Sequence, residues 1–525
     1  MLWIAVHLPQ LSLESFASTL PPEQQGLPMA LLAEHRIVAL NAAGVQAGIR
    51  PGHKRATALA LAPTLAIGQA DAQRDADELQ ATAHAMLAFS PSVSVRAPEQ
   101  VVLVEVQSCL RYWGGLLRLM QKLRQALLPL NHAVQYASAP SGLGAALLAR
   151  WQPGLELGRH TTCPLALAQR LDAVPTELLD SGREHGEAVQ GMGLHTLGEL
   201  RRLPRAGLAR RLGPGLLQDL DRAYGLVPDP CDWIKLPPVF DSALELFARA
   251  DTTEQVLHGA AVLLKRLVAW AQAQHARVGR FTLRMHHEPR HREGRAVGSA
   301  SMLEVALAEP TADAGHLQLL LRERLAHVAL AAPTLQLSLH CSDVVKGAPP
   351  NGELFPTHRS EREGLTRLLE RLQARLGRDR VQQVRIRGDH RPECSSEVQA
   401  ADPGQLPAPS CLPMPASASA PLGHEPGEPA TQERAMITRP TWLLPEPEPL
   451  PMRTFKPVLD GQPLQLLAGP ERIETGWWDG RPVQRDYFIA RAGDGALVWI
   501  YRDRLLSSVD DEALGSGWYL HGRFG

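Results

Sequence analysis

The sequence predicts a mixed α+β protein of several domains, and three features support this prediction. Residues 240–340 follow a strand-helix-strand-strand-helix-strand order, which usually folds as a four-stranded sheet with both helices on one face. Residues 165–233 contain short helical stretches separated by glycines. Residues 439–525 are short strand-like pieces rich in aromatic residues, which predicts a small β-rich C-terminal module.

The N-terminal third alternates apolar strands with amphipathic helices. In chain order, the expected elements are a strand at residues 2–8, a helix beginning near Ser12 that Pro21 and Pro22 break, an apolar stretch at 28–40, a helix at 55–61 ended by Pro63, a helix at 76–90, strands at 93–95 and 101–106, and a helix at 116–127. Ala97-Pro98-Glu99-Gln100 separates the last two strands, so the pattern predicts a hairpin with its turn at those four residues.

The second half continues to residue 386 and then changes in composition. The expected elements are strands at 242–247, 280–286, 302–308, 334–340 and 381–386, and helices at 253–274, 316–327 and 361–376. Residues 391–438 are rich in Pro, Ala, Ser and Gly, with few bulky aliphatic residues. We interpret them as a disordered linker, because they offer little apolar area to offset the entropy of ordering.

Composition excludes several classes of protein. The net charge of -1 argues against a globally basic nucleic-acid binder, although a basic surface can still be local. The six scattered cysteines form no Cys-x-x-Cys pair, so neither a disulfide framework nor a zinc site is indicated. The sequence has no secretory leader pattern and no apolar run of membrane-spanning length, which predicts a cytoplasmic protein with no membrane contact.

Several segments resemble one known family. Ile4-Ala-Val-His-Leu-Pro-Gln-Leu-Ser-Leu-Glu14 lies where that family has an Asp-x-Asp strand followed by Val-Glu, and Asn41-Ala-Ala-Gly44-Val-Gln-Ala-Gly48-Ile49 resembles its Gly-Val-x-x-Gly-Met segment. The tail, with Gly476-Trp-Trp-Asp479 and Trp518-Tyr-Leu-His-Gly522, is similar to one branch of it. The chain resembles the Y-family (translesion) DNA polymerases and, within them, the ImuB-like proteins, over nearly its whole length except the linker.

This resemblance implies a domain order. The chain would comprise a palm (1–24 and 76–165), fingers (25–75), a helix-hairpin-helix thumb (166–237), a β-α-β-β-α-β little finger (238–350), a clamp-motif segment with a helix and a strand (351–390), the linker (391–438) and a partner-binding module (439–525).

The resemblance also locates the family's metal site, where this chain lacks most of the carboxylates. A pair of Mg²⁺ ions needs several anionic oxygen ligands. The first two family positions fall on Ala5 and His7, the later acidic pair falls on Glu99 and Gln100, and a triphosphate-binding lysine falls on Gln152. We therefore expect a polymerase fold without polymerase activity and without a metal or other cofactor.

One alternative is an active translesion polymerase in which Glu14, Glu99 and Glu105 form a rearranged metal site. Strand periodicity argues against it, because it sends Glu99 and Glu105 to positions set by unrelated turns.

DNA binding does not require these carboxylates, since backbone amides and guanidinium groups can contact phosphates. Residues 201–211 carry five arginines and no acid. The expected DNA-binding residues are Gly193, Arg201, Arg202, Arg205, Arg210, Arg211 and Gly213, with Arg280 and Arg284 on one face of a later strand. The competing interpretation is a solvated surface in an arginine-rich chain.

A short extended segment, Asn351-Gly-Glu-Leu354-Phe355, resembles a peptide for the β sliding clamp. Leu354 and Phe355 would fill an apolar pocket while the amide of Asn351 bonds at its rim. The family form begins with Gln, and Asn351 has a shorter side chain. The competing interpretation is that Leu354 and Phe355 anchor a loop to the core.

In the aromatic tail we expect Trp477, Trp478 and Trp518 to bind partner proteins, although aromatic residues also form cores. The function implied by the resemblance is a non-catalytic adaptor in damage-induced mutagenesis and translesion synthesis, associated with the nucleoid. It would bind primer-template DNA and the β sliding clamp, and recruit an error-prone DnaE-type polymerase (ImuC) and a RecA-like accessory protein (ImuA). A DNA-binding protein without clamp or polymerase partners is a further possibility.

Overall fold

The computed structural model describes residues 1–24, 26–151, 164–288, 291–292, 295–296, 300–347, 358–403, 439–504 and 517–524. The chain forms two compact units, Met1–Arg375 and Leu376–Gly525. Among the described residues, no helix combines the length and apolar character needed to cross a membrane. The mixed α+β prediction and the β-rich C-terminal region are confirmed.

The first unit begins with two small sheets and the helices that cover them. The elements are β1 (Trp3–His7), α1 (Leu11–Ala17), β2 (Met29–Ala33), β3 (Arg36–Leu40), α2 (Ala42–Gln46), α3 (Arg55–Leu61), β4 (Ala66–Gln69), α4 (Ala72–Leu87), β5 (Val93–Arg96), β6 (Val101–Glu105), α5 (Leu116–Leu127), β7 (Gln135–Ala139) and α6 (Gly142–Trp151). The predicted hairpin at residues 97–100 is confirmed as the β5–β6 turn.

The first sheet has the strand order β5-β6-β1-β7 and is antiparallel throughout. Because side chains alternate along a strand, β1 contributes to two cores. Ile4 and Val6 pack with α4 and α5, whereas Trp3 and Ala5 pack with α6. The sheet is therefore covered by helices on both faces.

Short helices follow, as the glycine pattern predicts: α7 (Pro164–Leu171), α8 (Asp180–Glu184), α9 (Gly186–Gly191), α10 (Leu197–Arg202) and α11 (Arg205–Ala223). Their buried leucines join the core cluster that contains α6. α6 and α11 approach closely at Gly144, where a Cβ atom would lie 2.7 Å from the carbonyl oxygen of Ala223.

The rest of the first unit contains the predicted β-α-β-β-α-β block. Its elements are β8 (Phe240–Ala250), α12 (Thr253–Ala273), β9 (Ala276–His287), β10 (His291–Arg292), β11 (Arg295–Ala296), β12 (Ala300–Thr311), α13 (Ala314–Leu325), β13 (Thr334–Lys346) and α14 (His358–Leu376). The strand order is β12-β9-β13-β8, and α12 and α13 pack with the same sheet face, where Leu283 and Leu337 are fully buried. The predicted arrangement is confirmed.

The second unit is built of strands. They are β14 (Gln382–Ile386), β15 (Ser396–Ala400), β16 (Trp442–Pro449), β17 (Met452–Arg453), β18 (Lys456–Leu459), β19 (Gln462–Pro463), β20 (Gln465–Thr475), β21 (Val483–Arg491), β22 (Leu497–Asp503) and β23 (Trp518–Arg523). The main sheet has five strands in the order β16-β23-β22-β21-β20.

The predicted start of the linker at residue 391 is wrong. Residues 391–403 belong to the second unit: β15 pairs with β14, and the side chain of Arg391 is buried. Strand pairing and ion pairs order this segment despite its low aliphatic content, because they satisfy its polar groups directly. The remainder of the predicted linker, 404–438, lies outside the described residues.

A buried charge network joins α4 to α12. The Arg266 Nη2 atom lies 2.9 Å from Glu78 Oε1, and His132 bridges Glu78 Oε2 at 3.2 Å and Glu14 Oε2 at 3.1 Å. Burial by itself raises the pKa of Glu78, but the hydrogen bond from His132 and the charge of Arg266 outweigh it and lower that pKa to about 2. Burial likewise opposes the charged form of His132, yet its two carboxylate partners raise its pKa to about 9. These paired charges fix the β-α-β-β-α-β block against the first sheet's helices.

We expect Arg266→Ala to lower the free energy of unfolding by about 3 kcal/mol, because the buried Glu78 loses a paired cation. The matched control is Arg249→Ala, which removes an exposed guanidinium lying 3.7 Å from Glu288 and is expected to cost less than about 1 kcal/mol. Urea denaturation monitored by circular dichroism measures both. A loss in Arg266→Ala no larger than in the control would contradict the structural role of this network.

Candidate functional site

Three of the positions predicted near the metal site, His7, Glu99 and Gln100, lie at one end of the first sheet, and Ala5 lies two residues before His7 on β1. His7 is the last residue of β1 and pairs with Val101 on one side and Gln135 on the other. Glu99 and Gln100 form the turn that leads directly into Val101. Their role in a metal site stays a prediction. Gln152 lies outside the described residues.

Ala5 occupies an apolar environment. It pairs with Leu103 and Ala137, is fully buried, and belongs to the core cluster formed with α6. Its methyl group supplies no ligand atom, and its neighbours in that cluster are hydrophobic. This position can contribute packing but not metal coordination.

His7 is held as a neutral imidazole. Its Nδ1 atom lies 3.1 Å from Gln135 Oε1. Burial lowers the pKa of His7, and the nearby charge of Arg150 lowers it further, against the opposing effect of the hydrogen bond to Gln135. The side chain is therefore uncharged at neutral pH.

Glu99 retains a carboxylate, but two arginines face it. Its Oε1 atom lies 3.4 Å from Arg96 Nη1, and its Oε2 atom lies 3.9 Å from Arg150 Nη1. Arg96 in turn donates to Asp229 at 2.5 Å. Burial raises the pKa of Glu99, while the charges of Arg96 and Arg150 lower it in part. These ion pairs link the β5–β6 turn to α6 and to the segment that follows α11.

Gln100 turns away from the cluster. Its backbone is left-handed, with φ of 53°, and its side-chain amide donates to Ser12 Oγ at 3.1 Å. The amide therefore stabilises the junction between the turn and α1.

The alternative site built from Glu14, Glu99 and Glu105 is wrong, because these carboxylates do not converge. Glu14 accepts hydrogen bonds from His132 and from the backbone of Ala133, and Glu105 accepts from the backbone of Leu2 and Gln107. Glu99 lies in the turn before β6, whereas Glu105 is the last residue of β6, about 13 Å from Val101 at the usual rise of an extended strand. In the part of the chain that the structure describes, no group of three His, Cys, Asp or Glu residues could hold a metal ion.

Two glycines among the short helices have left-handed backbone conformations. Gly193, between α9 and α10, has φ of +73°. Thr196 and Glu199 form a capping box at the start of α10. Gly213, with φ of +83°, interrupts α11 with a non-helical residue. Glycine adopts this left-handed conformation without the steric cost of a side chain.

The five arginines of residues 201–211 separate into two groups. Arg205 makes a forked ion pair with Asp221 at 2.9 and 2.6 Å, and Arg201 stacks on Tyr224 and lies 3.5 Å from Asp172. Arg202, Arg210 and Arg211 are exposed, and no acidic partner is found for them within the described ranges. Only the second group is available to phosphates without breaking an internal contact.

Arg280 and Arg284 are both exposed on the outer face of β9, so the predicted orientation is confirmed. Arg280 lies 2.8 Å from Glu304 and 3.7 Å from Asp343. Arg284 stands opposite Met302 and Ser338, and no ion pair is found for it among the described residues. The positive charge of Arg280 is therefore partly neutralised by acidic neighbours, whereas that of Arg284 is not, within the described ranges.

The tail tryptophans differ in their surroundings. Trp499 is fully buried and stacks on Tyr487, with ring centroids 4.1 Å apart. Trp518 is partly buried against Phe488. Trp477 and Trp478 are 75% and 55% exposed, and their rings make an edge contact. Trp499 is therefore a core residue of the C-terminal sheet, whereas Trp477 and Trp478 are surface residues.

The turn that carries the exposed pair is firmly built. Gly476 has φ of +87°, and a Cβ atom there would lie 2.3 Å from the carbonyl oxygen of Arg481. The buried Arg391 donates to Asp479 at 2.6 Å and lies 5.8 Å from the centre of the Trp478 ring. These contacts hold two large apolar side chains in a fixed, solvent-facing position.

The predicted clamp-binding residues lie outside the described residues. They are Asn351, Leu354 and Phe355.

The chain is similar to Protein ImuB from two strains of Caulobacter vibrioides, each 27% identical over 488 residues that span 91% of this chain and 100% of the relative. The chain therefore resembles Protein ImuB over nearly its whole length. No family model matches the chain. Among solved structures, the chain aligns with an insertion ternary complex of Dbh DNA polymerase (14% identity, TM-score 0.37) and with DinB from Sulfolobus solfataricus (14% identity, TM-score 0.35). Each alignment covers 66% of this chain and 100% of the other.

Sequence reasoning missed several residues that organise these surfaces. Arg391 was assigned to the linker, and the roles of Arg96 and Arg150 beside Glu99 were not foreseen. The alternation of residues 382–386 with 396–400 was a signal for a hairpin around Arg391. The partners of Glu99 had no comparable signal, because Arg150 and Asp229 are far from it in sequence.

We expect Trp499→Ala to destabilise the C-terminal sheet by about 3–5 kcal/mol, because it leaves a large cavity beside Tyr487. Trp477→Ala and Trp478→Ala are matched controls that remove exposed rings and should change stability by less than about 0.5 kcal/mol. Hydrogen exchange of β21 and β22 peptides in the full-length protein measures the difference. Equal loss of protection in all three variants would show that the exposed pair is structural.

Proposed function

We propose that this ImuB-like protein is a non-catalytic, polymerase-like adaptor in damage-induced mutagenesis and translesion DNA synthesis. The observation that carries the proposal is the chemistry at the end of the first sheet, in the region that the sequence resemblance assigns to a polymerase palm. Ala5 is apolar and buried, His7 is neutral, and Glu99 faces Arg96 and Arg150. Phosphoryl transfer with paired Mg²⁺ ions requires several carboxylates at one point, since the ligands must offset the charge of both ions.

A DNA-binding role is supported by the surfaces that keep free positive charge. Arg202, Arg210 and Arg211 are exposed in the region that the sequence resemblance assigns to a thumb, close in sequence to the left-handed Gly213. Arg284 is exposed on the sheet that the resemblance assigns to a little finger. Guanidinium groups of this kind bind phosphates through charge and hydrogen bonds without reading sequence.

The adaptor would act through several contacts. Asn351, Leu354 and Phe355 would bind the β sliding clamp, and the exposed Trp477 and Trp478 would bind the DnaE-type polymerase (ImuC) or the RecA-like protein (ImuA), with Trp518 a less accessible contact. Two weak sites on one chain raise the effective concentration of each partner near the other. The protein would thereby bring an active polymerase to a primer terminus that it cannot extend itself.

Primer extension tests the absence of catalysis. With Mg²⁺ or Mn²⁺, we expect purified wild type and Glu99→Ala to incorporate no nucleotide, while wild type binds the same primer-template in fluorescence anisotropy. Arg210→Ala/Arg211→Ala should weaken that binding about tenfold and reduce the slope of log K against log salt by about 2, because two phosphate contacts are lost. Arg205→Ala is the control, since its guanidinium is already engaged by Asp221. Nucleotide incorporation that depends on Glu99 would overturn the proposal.

Clamp retention tests the predicted peptide. We expect Leu354→Ala/Phe355→Ala to weaken binding of purified β clamp at least about tenfold, because both apolar anchors are lost. Asn351→Gln should strengthen it, since the longer amide reaches the pocket rim. Surface plasmon resonance on the full-length protein measures both. Unchanged affinity in the double variant would remove these residues from the clamp contact.

A further inference from the structure

Helix α14 packs against the β-α-β-β-α-β block with a face that is not its most hydrophobic one. Thr366, Glu370 and Ala374, spaced four residues apart, are the buried positions of its last three turns. Glu370 Oε1 accepts hydrogen bonds from the backbone of Ala308 and Glu309, and its Oε2 atom lies 2.9 Å from His316 Nε2. These polar contacts determine which side of the helix faces the sheet domain.

The opposite face carries leucines. Leu365 and Leu368 are 46% and 50% exposed, and Leu372 on the same side of the helix is half-buried. Because successive helix residues are separated by about 100°, spacings of three and four place these side chains in one stripe, turned away from Glu370. Amphipathic helices normally bury such a stripe. A contiguous row of exposed leucines marks a surface that a partner covers.

The charge beside the stripe identifies the kind of partner. Arg367, Arg371 and Arg375 are exposed along one flank of the leucines. Arg367 and Arg371 approach Asp313 and Glu323 only at 3.8 Å, and no ion pair is found for Arg375 among the described residues. From residue 364 to the end of α14, the one acidic side chain is the buried Glu370. An occupant with carboxylates would therefore match this flank.

We propose that the leucine stripe of α14 is a docking site for an amphipathic helix of a partner protein, with leucine-like residues on one face and acidic residues beside them. Two such helices pack side by side by interlocking their apolar rows, and the flanking charges select the partner. The arginine flank favours an acidic helix over a basic one. This site goes beyond the adaptor function proposed above and does not depend on it.

Binding of a designed peptide tests the proposal. The probe is a fluorescein-labelled peptide of three heptads, with leucine at a and d and glutamate at e and g. A second peptide carries lysine in place of glutamate. In fluorescence anisotropy, we expect full-length protein to bind the acidic peptide saturably and at least about tenfold more tightly than the lysine peptide. Absence of saturable binding, or equal affinity for the two peptides, would overturn the proposal.

Variants locate the site. Leu368→Asp should weaken binding of the acidic peptide at least about tenfold, because it places a charge in the centre of the stripe. Arg367→Glu/Arg375→Glu should reverse the preference between the two peptides, and this second variant leaves every leucine in place. Leu117→Asp is the matched control, an exposed leucine on α5 at which no change is expected. Unchanged affinity in Leu368→Asp would place the peptide elsewhere and overturn the assignment.

Sedimentation distinguishes a second copy of the chain as the occupant. We expect wild type and Leu368→Asp to sediment alike at increasing concentration. A concentration-dependent dimer that Leu368→Asp abolishes would show that the stripe pairs with another copy, and it would overturn the assignment to an acidic partner helix.

Discussion

Packing of α6 against the first sheet is the interaction that determines the surroundings of Ala5 and His7. Trp3, Ala5, Leu103 and Ala137 lie on the covered face and join the largest apolar residues of α6 in one core. A buried apolar core of this kind excludes water and offers no oxygen ligand, so it cannot hold divalent cations. The same core continues into α11, so it also supports the helix that carries Arg210 and Arg211.

Charge is distributed in the molecule according to burial. The side chains of Glu78, Arg266 and His132 are buried and paired, and the buried Glu99 lies beside the partly exposed Arg96 and Arg150, because an isolated buried charge is unfavourable. Arg202, Arg210, Arg211 and Arg284 are exposed and lack acidic partners within the described part of the chain. Buried charges therefore join elements of the fold, whereas exposed ones are available to a polyanion.

Much of the fold could be predicted from local patterns. The helix at 55–61 and the helix at 116–127 have the predicted bounds, and the hairpin turn at 97–100 follows from proline between β-branched runs. The family resemblance selected His7, Glu99 and Gln100, which lie at one end of the first sheet, and Ala5, which lies in the middle of β1. The predicted start of the linker at residue 391 was wrong, because it rested on composition averaged over a long segment. That average hides a short hairpin, which the ion pairs of Arg391 with Asp389 and Asp479 hold in place.

The sequence by itself determined the order of strands and helices, the absence of carboxylates at positions 5 and 7, and the concentration of arginine at 201–211, because these depend on residue type and local spacing. Only the tertiary structure decided which charges are free, which tryptophans are exposed and which face of α14 packs inward. Those outcomes depend on residues distant in sequence: Asp221 neutralises Arg205, Tyr487 covers Trp499, and the backbone at Ala308 holds Glu370 so that the leucines of α14 face solvent. No periodicity along the chain encodes such pairings, since each is settled by the packing of separate elements.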